Sequence, residues 1–371
     1  MSRSTGTPFP FEGPVAPELL IDRADELALL GRRADDRVNV RLVAPRRFGK
    51  TSLLLAHARQ LESTGWRTAH VDLSGVADVA DVARRVAFAY AALDPSWARA
   101  HVAGLLGRLG VTLTPTGPGV TLQPRPRTDS VAAEDALDRL LDLPRTLHER
   151  DGIPTLVVLD EFQEILVARD DLDGVLRSHL QYHGDAAAYV FAGSEPSMMR
   201  ELFEHRERPF FGQADPLTIG PLPLGETISE LHARFAAEDQ DPGEALGELV
   251  AFAAGHPQRT MLLAYLLGDR LVLGEEATSA LAASVRDDAV RRTAPAHEAV
   301  WAELGANDRA VLAAVADGIA PTSRALAEQH HVSRGALDAA ARRLADQGHL
   351  RRLARGAEVV DPLLAEWIRR R

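Results

Sequence analysis

Along this chain, short unbroken apolar runs alternate with longer stretches in which apolar positions recur every three or four residues. The first pattern suits strands buried on both faces, and the second suits the helices that cover them. A lead-in rich in Pro, Gly and Phe over residues 1–18 precedes a helical pattern at 21–30, and a strand at 38–43 then feeds a glycine loop. A helix is expected over 50–62, a strand over 68–73 and a helix over 77–93. The breaker-rich stretch 110–130 reads as a weak hairpin or a mobile loop, and a helical region follows at 131–150. Strands at 155–159 and 187–192 flank a helix near 172–183, and a fifth strand is expected within 216–224. Strands alternating with helices predict an α/β fold: a parallel sheet covered on both faces, with ligands at the carboxyl ends of the strands.

From residue 225 the strand pattern stops, and helices alone are expected through about 292, as in a small helical lid. Pro295 is expected to break the chain there and open a third unit near Ala294. That unit reads as a winged helix-turn-helix, with helices over 308–315, 323–330 and 333–347, the last capped by Ser333 and ended by Gly348. Two short strands, 349–353 and 358–361, would form the wing around Arg355 and Gly356, and residues 362–371 are expected to be helical. The expected organisation is thus 1–30 as an N-terminal segment, 31–224 as the core, 225–293 as the lid and 294–371 as the winged unit.

Composition changes this picture in four respects. At 371 residues the chain exceeds one compact core, and 46% apolar with 26% charged residues describes a soluble globular protein. No apolar run is long enough to span a bilayer and the polar start lacks a secretory apolar core, so a cytoplasmic protein with no membrane partner is expected. The absence of cysteine excludes disulfides, thiolate metal sites and cysteine nucleophiles. Most telling, Lys50 is the single lysine beside forty-one arginines. A bias that replaces lysine by arginine leaves lysine where a compact ammonium is needed, as between phosphates.

Lys50 sits in Ala44, Pro45, Arg46, Arg47, Phe48, Gly49, Lys50, Thr51, Ser52, a phosphate-loop pattern between a strand and a helix with alanine at its usual first glycine. Pro45 has no N–H, so Phe48, Gly49, Lys50 and Thr51 are the expected backbone donors for ATP or ADP, with Lys50 bridging the β- and γ-phosphates of ATP and Thr51 on Mg²⁺. The run Leu156, Val157, Val158, Leu159 ends in Asp160, a Mg²⁺ carboxylate, and Glu161, a base for the attacking water. Ser194 closes the next strand, where it either bonds the γ-phosphate or lytic water or simply begins a turn. Arg200, Arg206 and Arg208 are candidate arginine fingers, Arg208 foremost, against the plainer reading of solvated surface arginines. Arg259, just inside a lid helix that Pro257 opens, could sense the γ-phosphate. Residues 334–371 carry net +4 against −11 for the whole chain, so DNA is a candidate partner through Arg334, Arg342, Arg343 and Arg352, with Arg351 and Arg355 on the wing.

With these elements assembled, the chain resembles the archaeal-type ATPase family, a branch of the AAA+-related STAND class of P-loop NTPases. The resemblance runs from Pro8, Phe9, Pro10, Phe11 and Ile21, Asp22, Arg23 through the loop, Asp160 to Glu164, Ala192 to Phe203, Pro209 to Gln213 and Gly255 to Pro257, ending at Val360 to Trp367. It implies a core with strand order 5-1-4-3-2, a helical lid and a winged helix acting as an ATP-controlled switch. It also implies that the stretch around Val15 and Ile21 to Arg23 helps hold adenine, with Arg23 the cofactor-side residue. Gln213 stands where the family often has an arginine, so a finger at that position is missing.

The leading expectation is a Mg²⁺-dependent ATP-binding protein and slow ATPase whose bound state sets the lid and winged unit. The alternative is a DNA-binding regulator or assembly scaffold that holds ATP without turnover, with a protein partner or ATP-dependent self-association. A small-molecule phosphotransferase is disfavoured by the lid and winged unit and by the lack of an acceptor pocket.

Overall fold

The computed structural model describes residues 7–91, 93, 111–116, 119–124, 130–353 and 355–371. They divide into two compact units, 24–43 with 53–218, and the segments 1–23, 44–52 and 219–371.

The first unit is built on a five-stranded parallel sheet. Its strands are β1 (Val40–Val43), β2 (Arg67–Asp72), β5 (Thr155–Asp160), β6 (Ala187–Gly193) and β7 (Asp215–Thr218), in the order β2-β5-β6-β1-β7. Numbering these five along the chain gives 2-3-4-1-5, the expected order read from its other edge. β5 and β6 are buried at every residue, which is why their sequence shows unbroken apolar runs rather than alternation. Helices Val79–Tyr90, Ser130–Leu141 and Leu172–Leu180 contribute to the core on this sheet, where Phe162, Phe191, Phe203 and Phe210 pack as one aromatic cluster. The breaker-rich stretch contains an antiparallel hairpin, β3 (Val111–Thr116) with β4 (Gly119–Pro124), while 117–118 and 125–129 lie outside the described residues.

The second unit is mainly helical. Helices Leu224–Ala237, Gly243–Ala253, Pro257–Val272 and Ser279–Glu303 share a core that includes Leu231, Phe235, Leu249, Leu267 and Val285. The lead-in belongs to it as well: Phe9 and Ile21 are buried there, and the Phe9 ring lies 4.3 Å from that of Phe235. Helices Ala306–Ala316, Arg324–Gln329 and Arg334–Asp346 are followed by the antiparallel pair β8 (Leu350–Arg352) and β9 (Ala357–Val359), the arrangement of a winged helix-turn-helix. Ser333 caps the third of these helices by accepting the Ala336 N–H at 3.1 Å, and Gly348 ends it at φ +77°.

One expectation fails. Pro295 does not break the chain near Ala294; it lies inside the single helix Ser279–Glu303. A proline removes one N–H and crowds the preceding turn, a cost of about 3 kcal/mol. Burial of Leu281, Val285, Val290 and His297 along the same helix offsets that cost, so the helix continues across the expected boundary. Among the described residues no helix is long and apolar enough to cross a membrane.

Two buried imidazoles give the sheet unit a pH dependence. Burial holds His57 and His183 below the ordinary 6.5, each at about 4, and among the described residues neither ring nitrogen of His57 has a hydrogen-bond partner. The unfolded chain takes up these protons near pH 6.5 and the folded chain only near 4, so this stability is full above pH 6.5 and is lost on acidification toward 4. Thermal melts between pH 7.5 and 4 should show it. His57→Leu should make the loss shallower by about one proton's worth, roughly 1.4 kcal/mol per pH unit; an unchanged slope would mean that His57 does not titrate.

Candidate functional site

β1 ends at Val43, whose Cα partners are Gly193 on β6 and Thr218 on β7, and the chain turns through residues 44–49 into helix Lys50–Ser63. Two loop residues are left-handed, Arg47 at φ +68° and Gly49 at φ +82°. Glycine takes that angle at no steric cost, and arginine does so at some. Ala44 is fully buried and keeps a negative φ, so alanine fits where the stricter loop has glycine. The Phe48 N–H, an expected phosphate donor, lies 3.3 Å from the Pro45 carbonyl, the backbone between them folding as a four-residue turn.

Lys50 is only 7% exposed, and Thr51 and Ser52 follow it in the first helical turn. A helix start turns its leading N–H groups outward along its axis, and a left-handed glycine lets backbone approach an anion closely. This donor set fits a polyphosphate. The buried Ser52 hydroxyl accepts the Val15 N–H at 3.0 Å and so fastens the lead-in to the loop, while Arg23 donates to the Gly220 carbonyl at 2.8 Å. The stretch 15–23, expected beside adenine, is therefore built onto the phosphate loop and the start of the helical region.

The same unit holds the lid residues. Pro257 opens helix Pro257–Val272, and His256 before it accepts the Arg259 N–H on Nδ1 at 3.4 Å. The His256 ring lies 4.9 Å from that of Phe48 in the loop, and burial lowers it to about pKa 4, so it is neutral at pH 7. Gly255 at φ +73° has no room for a side chain, since a Cβ would come within 2.5 Å of the Leu222 carbonyl. Arg259, expected to face phosphate, is 2% exposed and forks onto the Asp361 carboxylate, with Nε 3.0 Å from Oδ1.

In the sheet unit, Asp160 is 5% exposed at the end of β5; its Oδ1 accepts the Glu161 N–H at 3.0 Å, and its Oδ2 lies 3.6 Å from His70 Nε2. A buried carboxylate at a strand end suits a hard cation such as Mg²⁺. Glu161 turns left-handed, at φ +52°. That conformation costs about 1–3 kcal/mol in a residue with a side chain. Its Oε2 accepts three hydrogen bonds, from the Ser194 N–H at 3.1 Å, the Ser194 hydroxyl at 2.7 Å and Gln163 Nε2 at 2.7 Å. Bonds to a charged acceptor contribute about 1.5–3 kcal/mol each, so they more than offset the strain. Gly193 is required here, because a Cβ would meet the Met199 sulfur at 2.5 Å and Gln163 Oε1 at 2.6 Å.

The remaining candidates are held elsewhere. Arg208 is tied to Glu201 at 3.2 Å and to Asp170 at 3.1 Å, with Asp173 at 3.7 Å, so a role as a finger requires it to leave three carboxylates. Gln213 accepts a hydrogen bond from Arg177 at 2.8 Å. In the winged unit, Arg342 and Arg352 share Asp338 at 2.6 and 3.3 Å, Arg343 pairs with Asp308 at 2.7 Å, and Arg334 donates to the Thr322 carbonyl at 3.1 Å. Sequence reasoning gave no role to Gln163, His70, His256 or Asp361. A signal existed for Asp361, since an aspartate just before a proline at a helix start is a capping pattern.

The sequence matches no family model and no curated protein sequence. Solved structures are similar over nearly the whole chain. The Walker-type ATPase of Pyrococcus abyssi aligns with a TM-score of 0.69 at 16% identity, covering 98% of this chain and 100% of that one. The ORC2 protein of Aeropyrum pernix, in ADPNP and ADP complexes, aligns at 0.64 and 16% identity, covering 97% and 96%. The ORC1 protein of the same organism, in complex with DNA, aligns at 0.52 and 18% identity, covering 98% and 95%. The chain shares the fold of these structures, and its five-stranded parallel sheet has the strand order its motifs imply.

Proposed function

We propose that the chain binds ATP with Mg²⁺ and hydrolyses it slowly, as a nucleotide-controlled switch. The observation that carries this reading is Lys50: the only lysine of the chain, buried in the first turn of a helix that follows a left-handed glycine. In this reading Lys50 and the backbone from Gly49 to Ser52 hold the phosphates. Thr51 and Asp160 would ligate Mg²⁺, which supplies charge neutralisation to the phosphates. The lead-in near Val15 and Arg23 serves the adenine side, and similarity to a structure determined with ADPNP and ADP supports a nucleotide as ligand.

Glu161 is the group that orients the attacking water and takes its proton. Its Oε2 accepts three protein hydrogen bonds, which hold the carboxylate in place beside the water it would serve. Ser194 and Gln163 position the carboxylate, and neither is required to reach the phosphate.

For the winged unit we favour a protein contact over a DNA contact, because Asp338 and Asp308 neutralise the arginines expected on the duplex. The fold is shared with a structure determined in complex with DNA, so duplex binding is a direct test. No salt-sensitive gel shift is expected at low salt with ATP or ADP; a shift lost in the Arg342→Ala, Arg343→Ala double variant would establish the DNA role instead.

Nucleotide binding and phosphate release separate the remaining roles. Lys50→Ala should abolish measurable ATP binding in calorimetry. Glu161→Gln keeps an acceptor for Ser194, so it should still bind ATP while phosphate release falls by about 100-fold or more. Turnover unchanged in Glu161→Gln would remove Glu161 from the chemistry.

A further inference from the structure

Outside the strand ends, a closely knit charged cluster gathers around Asp361 in the unit that also contains the phosphate loop. Asp361 precedes helix Pro362–Arg369, the last helix of the winged unit, and caps it by accepting the Leu363 and Leu364 N–H groups at 3.0 and 3.4 Å. The same carboxylate holds the Arg259 guanidinium through both oxygens and lies 3.4 Å from His297 Nε2. Burial opposes its charge, but the neighbouring His297 ring and the Arg259 guanidinium outweigh that and hold Asp361 well below the usual carboxylate range. Three helices thus meet on one ionised carboxylate: Pro257–Val272, Ser279–Glu303 and Pro362–Arg369.

The cluster reaches the phosphate loop. Arg47 is lowered by desolvation first and next by the like charge of Arg259, with Asp361 opposing, so these groups feel one another. His256 links them sterically, through its ring contact with Phe48 and its bond to the Arg259 backbone. On the winged side, His349 is lowered by burial and then by Arg46. Arg46, Arg47 and Arg259 therefore share an electrostatic neighbourhood with Asp361, which grips the Arg259 guanidinium bidentately. A phosphate oxyanion offers arginine the same fork with more charge.

We propose that Asp361 is a latch, occupying Arg259 until a nucleotide phosphate takes the guanidinium, so that loading the phosphate loop releases the start of helix Pro362–Arg369 from the lid helix. This rests on the reading of the loop as a nucleotide site and adds the route by which occupancy reaches the winged unit. Asp361 acts through Arg259 and is a positioning residue. Because latch and phosphate compete, removing the latch strengthens nucleotide binding, whereas a residue that only supports the fold would weaken it on removal.

The test uses the full chain, ATPγS with Mg²⁺ in calorimetry, and amide hydrogen exchange of residues 362–369. In the wild type, ATPγS should raise exchange at the start of that helix. Asp361→Asn keeps a capping side chain but loses the charge, and it should bind ATPγS about tenfold more tightly while exchanging faster there without nucleotide. Asp361→Glu should restore wild-type affinity, and Arg259→Gln should loosen the same amides while weakening binding. Equal or weaker binding by a folded Asp361→Asn chain, beside a wild type that binds, overturns the latch and leaves the nucleotide site standing. A wild type that binds no ATPγS overturns both.

Discussion

Parallel strands cannot be joined by a tight turn, so each connection in the sheet must cross back over a face, and every strand then delivers its following loop to the same edge. That constraint organises the sheet unit. β6 lies between β5 and β1, pairing Phe191 with Leu159 on one side and Gly193 with Val43 on the other. The turn after β6 therefore emerges between the acidic end of β5 and the exit of β1. Ser194 can reach Glu161 from there only because Gly193 carries no side chain, the space being filled by Met199 and Gln163.

The two units share a physical theme. In each, a side chain proposed to act on phosphate is engaged by protein groups. Glu161 is gripped by Ser194 and Gln163, and Arg259 by Asp361. Both are buried or half-buried charges, for which an unpaired state is costly, so a resting structure must give each a partner. Moving either group is then an exchange of partners, and its free energy is set by how well the incoming ligand reproduces the bonds it displaces.

Much of this was legible in the sequence because the signals were local. Buried parallel strands write themselves as apolar runs, which located β5 and β6 within a residue or two, and the loop around Lys50 was bracketed by a strand and a helix as its pattern requires. The winged unit was legible through Ser333 and Gly348, a cap and a stop whose roles depend on a few neighbouring residues. Pro295 misled because a local breaker was overruled by burial along a 25-residue helix, a tertiary effect. The partners of the functional residues were hidden for a related reason. Asp361 lies 102 positions from Arg259, and Ser194 lies 33 from Glu161, and no periodicity connects residues at such separations.

The lone lysine acquires a structural meaning beside the forty-one arginines. Where the fold needs a cation that spans several acceptors, it uses arginine's planar fork. Arg67 grips Asp151 and the Ile153 carbonyl, Arg234 joins Glu230 to the carbonyls of Pro8 and Leu19, and Arg259 clasps both oxygens of Asp361. Each of these is a rigid, multidentate contact that fixes one segment against another. Lys50 stands in a different place, buried at the first turn of a helix and next to a left-handed glycine. A guanidinium there would bring a planar group of four heavy atoms and a fixed donor direction to a concavity lined by backbone N–H groups. An ammonium brings one atom and three rotatable donors. Forks thus stand where the partner is a carboxylate or a pair of carbonyls, and the point charge of Lys50 suits the phosphate anion proposed for the loop.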